Sequence, residues 1–146
     1  MAIEKLGAAK MENVRAFEKK HDLRLPNDYI NFLLKYNGGI VEKDQNCQVL
    51  VKSLKGSIHV DVLYGIGTTY ENANIDTWMD MFRDDMLGGA VIIGDSIEHG
   101  FLVLICTVDD AGICYWDHSY EFPSSNDESN MYFITDSFTN FAKGLL

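Results

Sequence analysis

Apolar positions change their period along this chain, from helical to alternating and back. Near the N-terminus Ile3, Leu6, Met11, Val14 and Phe17 fall close to helical spacing. That spacing predicts a helix over 3–21, divided at Gly7. His21 and Asp22 open a short connection to a second, better punctuated helix. Pro26 suits its first turn, where a missing N–H costs nothing. Asn27 and Asp28 bring polar and negative groups to that end, as the helix dipole favours. Tyr29, Phe32, Leu33 and Tyr36, with Ile30 and Leu34 beside them, make a wide apolar stripe. Asn37 and Gly38 end it, since glycine enters the left-handed region without penalty.

From Val41 the pattern becomes one of strands. Residues 48–54 and 57–64 flank Lys55-Gly56, a hairpin signal. In the second run Ile58, Val60, Val62 and Tyr64 alternate with Ser57, His59 and Asp61, which predicts one wet face. Residues 65–67 begin a loop. Asn74 or Asp76 is placed to cap a helix carrying Trp78, Met79, Phe82 and Met86, closed by Gly88-Gly89. Residues 90–93, 101–108 and 113–116 are near-continuous apolar runs, the signature of central strands covered on both faces. Their turns are read at 95–100 and 109–112. Residues 123–130, rich in Ser, Asn and Asp, read as a mobile loop. A short strand over 131–134 follows. Asp136 then caps a last helix with Phe138, Phe141 and Leu145 on its apolar side. Helices at both ends of a run of strands predict an α+β fold, with a mainly antiparallel sheet of about five or six strands flanked by N-terminal, middle and C-terminal helices. A chain of 146 residues, 47% of them apolar, fits one domain over 1–146.

Charge changes the picture because it is uneven. Residues 1–60 carry ten Lys/Arg against seven Asp/Glu. Residues 61–146 carry only Arg83 and Lys143 against fifteen Asp/Glu, so the two parts hold +3 and −13 of the total −10. Such a field repels nucleic acid and anionic membranes and draws basic proteins in. It also confers solubility, the blander reading. No apolar run has the roughly 20 residues of a membrane helix. Charges at Glu4, Lys5, Lys10 and Glu12 break any signal-peptide pattern, so the expected location is the cytoplasm. Cys47, Cys106 and Cys114 lack Cys-x-x-Cys spacing and read as reduced, buried thiols. A loop over 109–112 places Thr107 opposite Cys114, with the thiols of Cys106 and Cys114 on opposite sides.

Catalytic signals are thin. Gly94-Asp-Ser-Ile-Glu98 lacks the second glycine of a nucleophile elbow and leads into a strand. Ser96, His99 and Asp117 make a triad only on paper. His59, Asp61, Asp95, Glu98, His99, Asp117 and His118 are chemically able to hold a divalent metal, but at no known ligand spacing. Phosphate-binding and dinucleotide-binding glycine motifs are absent, and nothing calls for a cofactor. Trp116 reads either as rim packing or as an aromatic anchor for a partner.

Several segments resemble one family. Leu23, Leu25, Pro26, Tyr29, Phe32, Leu33, Tyr36, Asn37, Gly38 and Gly39 are similar to the N-terminal motif of the SUKH superfamily. That group holds the fungal Smi/Knr cell-wall regulators and many bacterial immunity proteins. Val91-Ile-Ile-Gly-Asp95, the strand over 100–105, Cys114-Tyr-Trp-Asp-His118 and Asp136-Ser-Phe-Thr-Asn-Phe141 resemble later family segments in the right order. Thr135 stands where a small residue is usual. The resemblance implies an α+β fold and an immunity protein without catalysis. Such a protein binds and neutralises a toxin domain encoded beside it. With the charge imbalance, it makes the expected partner a basic nuclease domain. The expected contacts are the acids and aromatic at strand ends and turns: Asp61, Asp95, Glu98, Trp116, Asp117 and Glu121. A regulatory interaction module and a small metal-dependent enzyme remain the alternatives.

Overall fold

The strand-forming runs meet in one curved antiparallel sheet. A computed structural model describes residues 3–42, 47–86, 88–107, 111–143 and 145. Among them are β1 (Ile3–Lys5), α1 (Met11–Lys20), α2 (Asn27–Lys35), β2 (Gly39–Val41), β3 (Gln48–Val51), β4 (Gly56–Leu63), α3 (Ile75–Met81), β5 (Ala90–Ser96), β6 (Phe101–Ile105), β7 (Gly112–Trp116), β8 (Met131–Thr135) and α4 (Phe138–Ala142). The strands lie in the order β1-β2-β4-β5-β6-β7-β8, and β3 pairs with the first half of β4. β8 also touches β3, so the sheet curls toward closure.

Two adjacent cross-strand rows explain its two faces, because residues directly opposite in an antiparallel sheet point the same way. One row runs Leu63, Gly94, Leu102, Tyr115, Tyr132. All five are buried. This inner face joins the core built with Val14 and Phe17 of α1 and Tyr29, Ile30, Phe32 and Leu33 of α2. α4 packs on β7 and β8, and Phe138 meets Tyr29 and Phe32 at ring distances of 5.0 and 4.9 Å. The other row runs Val62, Asp95, Phe101, Trp116, Met131, and it is only partly covered.

The Asn37-Gly38-Gly39 run is a latch rather than a simple helix stop. Asn37 itself takes the left-handed conformation, with φ 48°. Its amide donates to the Ile66 carbonyl at 2.9 Å and accepts from the Ile66 N–H at 2.8 Å. A Cβ on Gly65 would fall 2.1 Å from the Asn37 carbonyl oxygen, so only glycine allows this approach.

Several sequence expectations need correction. Residues 3–5 form strand, and the first helix begins only at Met11. Among the described residues the sheet holds eight strands, more than the five or six expected, since β1 and β2, three residues each, are too short for alternation to register. The middle helix ends at Met81 and passes through a 3₁₀ turn, Arg83–Asp85, before Gly88. Asn74 sits at its N-cap, but its side chain accepts from the Thr68 N–H instead. The last helix is capped by Ser137, whose hydroxyl accepts from the Asn140 N–H, and not by Asp136. Val103, not Thr107, lies opposite Cys114. Part of the turn read at 109–112 lies outside the described residues. The loop expected to be mobile is tied down: Ser125 donates to Asp117, and Tyr132 bonds Ser124 and Ser125.

Candidate functional site

The partly covered face begins at a bulge. Register slips between Val60 and Val62, leaving Asp61 as an extra residue opposite the end of β5. A bulge re-aims side chains in this way. Asp61 and Val62 together face Asp95. The Asp95 carboxylate accepts from the Val62 N–H at 3.1 Å and from the Tyr64 hydroxyl at 2.6 Å. Burial, aided by the charge of Asp61, pushes Asp95 up to about 6 despite those two hydrogen bonds. The same burial and the nearby carboxylates push the Tyr64 phenol well above its ordinary value. Neither Asp61 nor Asp95 has an ion-pair partner among the described residues.

Aromatic rings continue from this point across the face. Tyr64 stacks on Trp78 with centroids 5.6 Å apart. Trp78 lies nearly parallel to Phe82 at 6.3 Å and meets Phe101 at 5.3 Å. Phe82 then contacts Phe101, Trp116 and His118 at 5.2, 5.4 and 4.7 Å. The spacing of Trp78 and Phe82, four apart around the end of α3, puts both on one side. The indole N–H of Trp78 donates to the Asn72 carbonyl at 2.8 Å, which fixes the ring. Trp78, Phe82 and His118 are half-buried. Exposed Met131 and Phe133 extend the apolar surface along β8, and exposed Asp84, Asp85 and Glu121 lie in the segments that flank these rings in the chain.

The six expected contact residues fare differently. Asp61 and Asp95 come together at the bulge. Trp116 shares the cross-strand row of Asp95, but it is only 6% exposed beneath Phe82 and His118. It therefore supports the face and does not project from it. Glu98 is half-buried and grips β4, accepting from the His59 N–H at 2.8 Å and pairing with its ring at 2.6 Å. Glu121 is exposed. Asp117 departs from expectation: it is 0% exposed and accepts from the Glu121 and Phe122 N–H groups and the Ser125 hydroxyl. Its carboxylate organises the turn after β7 and has no surface to offer a partner.

Tyr64, Trp78, Phe82, Phe101 and His118 are the residues that reading the chain element by element missed. The available signal was Trp78 and Phe82 on a helix too short to bury both, followed at once by Asp84 and Asp85. The paper triad does not assemble: the Ser96 hydroxyl bonds Tyr115 at 2.7 Å, and Asp117 is committed to its turn. Among the described residues no three His, Cys, Asp or Glu side chains are grouped to hold a metal ion. Nor is any described helix long and apolar enough to cross a membrane. Burial raises all three free thiols, Cys106 to about 12, which leaves them poor nucleophiles.

What the fold and face define is an α+β domain whose sheet has one sealed face and one aromatic, acid-bordered face that α3 covers only in part. The chain matches the SMI1 / KNR4 family (SUKH-1) over residues 8–144 and belongs to that family. No curated protein matches the sequence.

Proposed function

We propose that this protein is an immunity protein that binds and neutralises a cognate toxin domain in the cytoplasm, without catalysis of its own. The observation that carries this reading is the half-covered strip Trp78–Phe82–His118 beside two carboxylates, Asp61 and Asp95, that have no cation partner among the described residues. Family membership supports it, since many bacterial members of the wider group are immunity proteins. A nuclease toxin must carry basic surface to hold its substrate, and an acidic face competes for that surface directly. Aromatic contacts in the middle of such a face set the lifetime of the complex, while outlying acids set its rate of formation. Asp61, Asp95, Glu98 and Glu121 supply charge in this scheme. Trp116 and Asp117 hold the rings and the turn in place from below.

The test is binding and growth rescue with the toxin domain encoded beside this gene. Co-expression is expected to rescue growth and give a complex whose association slows steeply with salt. Glu121→Gln is expected to lower the association rate and leave dissociation nearly unchanged. No complex and no rescue by the intact protein would overturn the reading. Salt-insensitive association would overturn the part assigned to the acidic face.

A further inference from the structure

The bulge that brings Asp61 to Asp95 creates a demand for positive charge beside a flat apolar surface. Both carboxylates come from neighbouring strands, and no described Lys, Arg or His pairs with either. Some acids elsewhere do have basic partners, among them Glu18 with Arg15, Asp76 with Lys20 and His21, and Asp80 with Lys20 and Arg83. The Asp95 oxygens each receive one donor from the protein, and a carboxylate oxygen accepts two. Lone pairs therefore remain on both. Tyr64 ties this carboxylate to the ring strip, because its hydroxyl bonds Asp95 and its ring stacks on Trp78.

We propose that this face receives an arginine side chain from the partner protein, with its guanidinium at Asp61 and Asp95 and its stem along Trp78 and Phe82. The inference rests on the binding reading above and names the chemistry of the contact. Guanidinium fits better than ammonium for three reasons. It is planar and packs against aromatic rings. Its paired N–H groups match the two oxygens of a carboxylate. It is also weakly hydrated, so a half-buried site removes less from it. Ionised Asp95 is costly in the free protein and is relieved when the cation arrives. Binding is therefore expected to tighten as pH rises through about 6. The titratable groups facing Asp95 in this assignment are Asp61 and Tyr64, and Asp61 is the only other acid near it on the bulge.

The chain has two tryptophans, Trp78 and Trp116, both in contact within this strip, so selectively excited tryptophan fluorescence reports on the site. The probes are the capped tripeptide Gly-Arg-Gly, its citrulline analogue, which keeps the shape without the charge, and its lysine analogue. The arginine peptide is expected to give a saturable change below about 50 mM, weakened about tenfold or more by citrulline and several-fold by lysine. Asp95→Asn is expected to abolish the preference for arginine over citrulline. Melting curves separate loss of binding from loss of fold. Equal affinity for arginine and citrulline, no saturation, or an unchanged preference in folded Asp95→Asn would overturn the inference. Intact binding of the neighbouring toxin domain alongside such a failure would leave the immunity reading standing. Peptide binding without toxin binding would do the reverse.

Discussion

The two faces of the sheet use the same residue types to opposite ends. On the inner face Leu63, Leu102 and Tyr115 are sealed in the core, and hydroxyls of the strands there find partners within the protein, although the buried Tyr29 hydroxyl of α2 has none among the described residues. The Ser96 hydroxyl bonds the Tyr115 phenol, for example, and the phenol rises to about 12 under burial. One strand position away, Asp95, Phe101 and Trp116 form a row of equal apolar weight that ends in open surface. A carboxylate there keeps unused lone pairs, and the rings that lie over Phe101 and Trp116, those of Trp78, Phe82 and His118, are only half-buried. The difference locates where this protein has left interactions to be completed. A second contrast makes the same point: Asp117 is fully buried with three donors, whereas Asp95 has two donors and a like charge beside it.

The comparison is broken most directly in the core. Leu33→Ala, or Leu102→Ala on the inner row, removes a fully buried side chain and leaves a cavity. Either is expected to cost about 3–5 kcal/mol in denaturant titration. A cost below about 0.5 kcal/mol would mean that the inner face is not the sealed one.

Asp117→Ala ranks next. It strips three donors of a buried acceptor and frees the turn that carries Glu121. The expected loss is about 1–3 kcal/mol of stability, with protease nicking appearing in residues 118–130. Full stability in this variant would return Asp117 to the list of surface contacts.

Asp95→Asn sharpens the comparison through pH. The native carboxyl is raised to about 6 from an ordinary 3.8. Its contribution is therefore present while it is protonated, below about pH 4, and is lost as pH rises through 6. Asparagine does not ionise. The stability of the variant relative to the natural protein is expected to rise between pH 4 and pH 6 and then level off, by at most about 3 kcal/mol. A flat difference across that window would show that Asp95 ionises freely in the folded protein.

How much of this was legible depended on the length of each signal. The Pro26 helix was readable because caps, stripe and stop all coincide within one short stretch. The central strands were readable because three apolar runs have no other place to go. β1 and β2 were not, since three residues carry no period. The ring strip was hidden for a different reason. Tyr64, Trp78, Phe101 and His118 come from four separate segments, and only register and the bulge at Asp61 bring them together. Asp117 misled because a strand-end acid looks the same in sequence whether it faces solvent or folds back on its own turn.

The smallest effect tests the open end of the strip. Phe133 is 57% exposed on β8, opposite Cys114, and its ring leans over Gly112, where a Cβ would fall 3.1 Å from it. An aromatic ring this exposed contributes little to folding, since most of its surface stays in water. Phe133→Ser is therefore expected to shift stability by no more than about 0.5 kcal/mol. If the aromatic face meets the partner along its whole length, the same variant is expected to speed dissociation of the toxin complex several-fold while leaving the salt dependence of association intact. Unchanged dissociation would confine the contact to the Asp95 end of the row. A stability loss above 2 kcal/mol would mean that β8 is sealed like the inner face, and the contrast between the two faces would fail there.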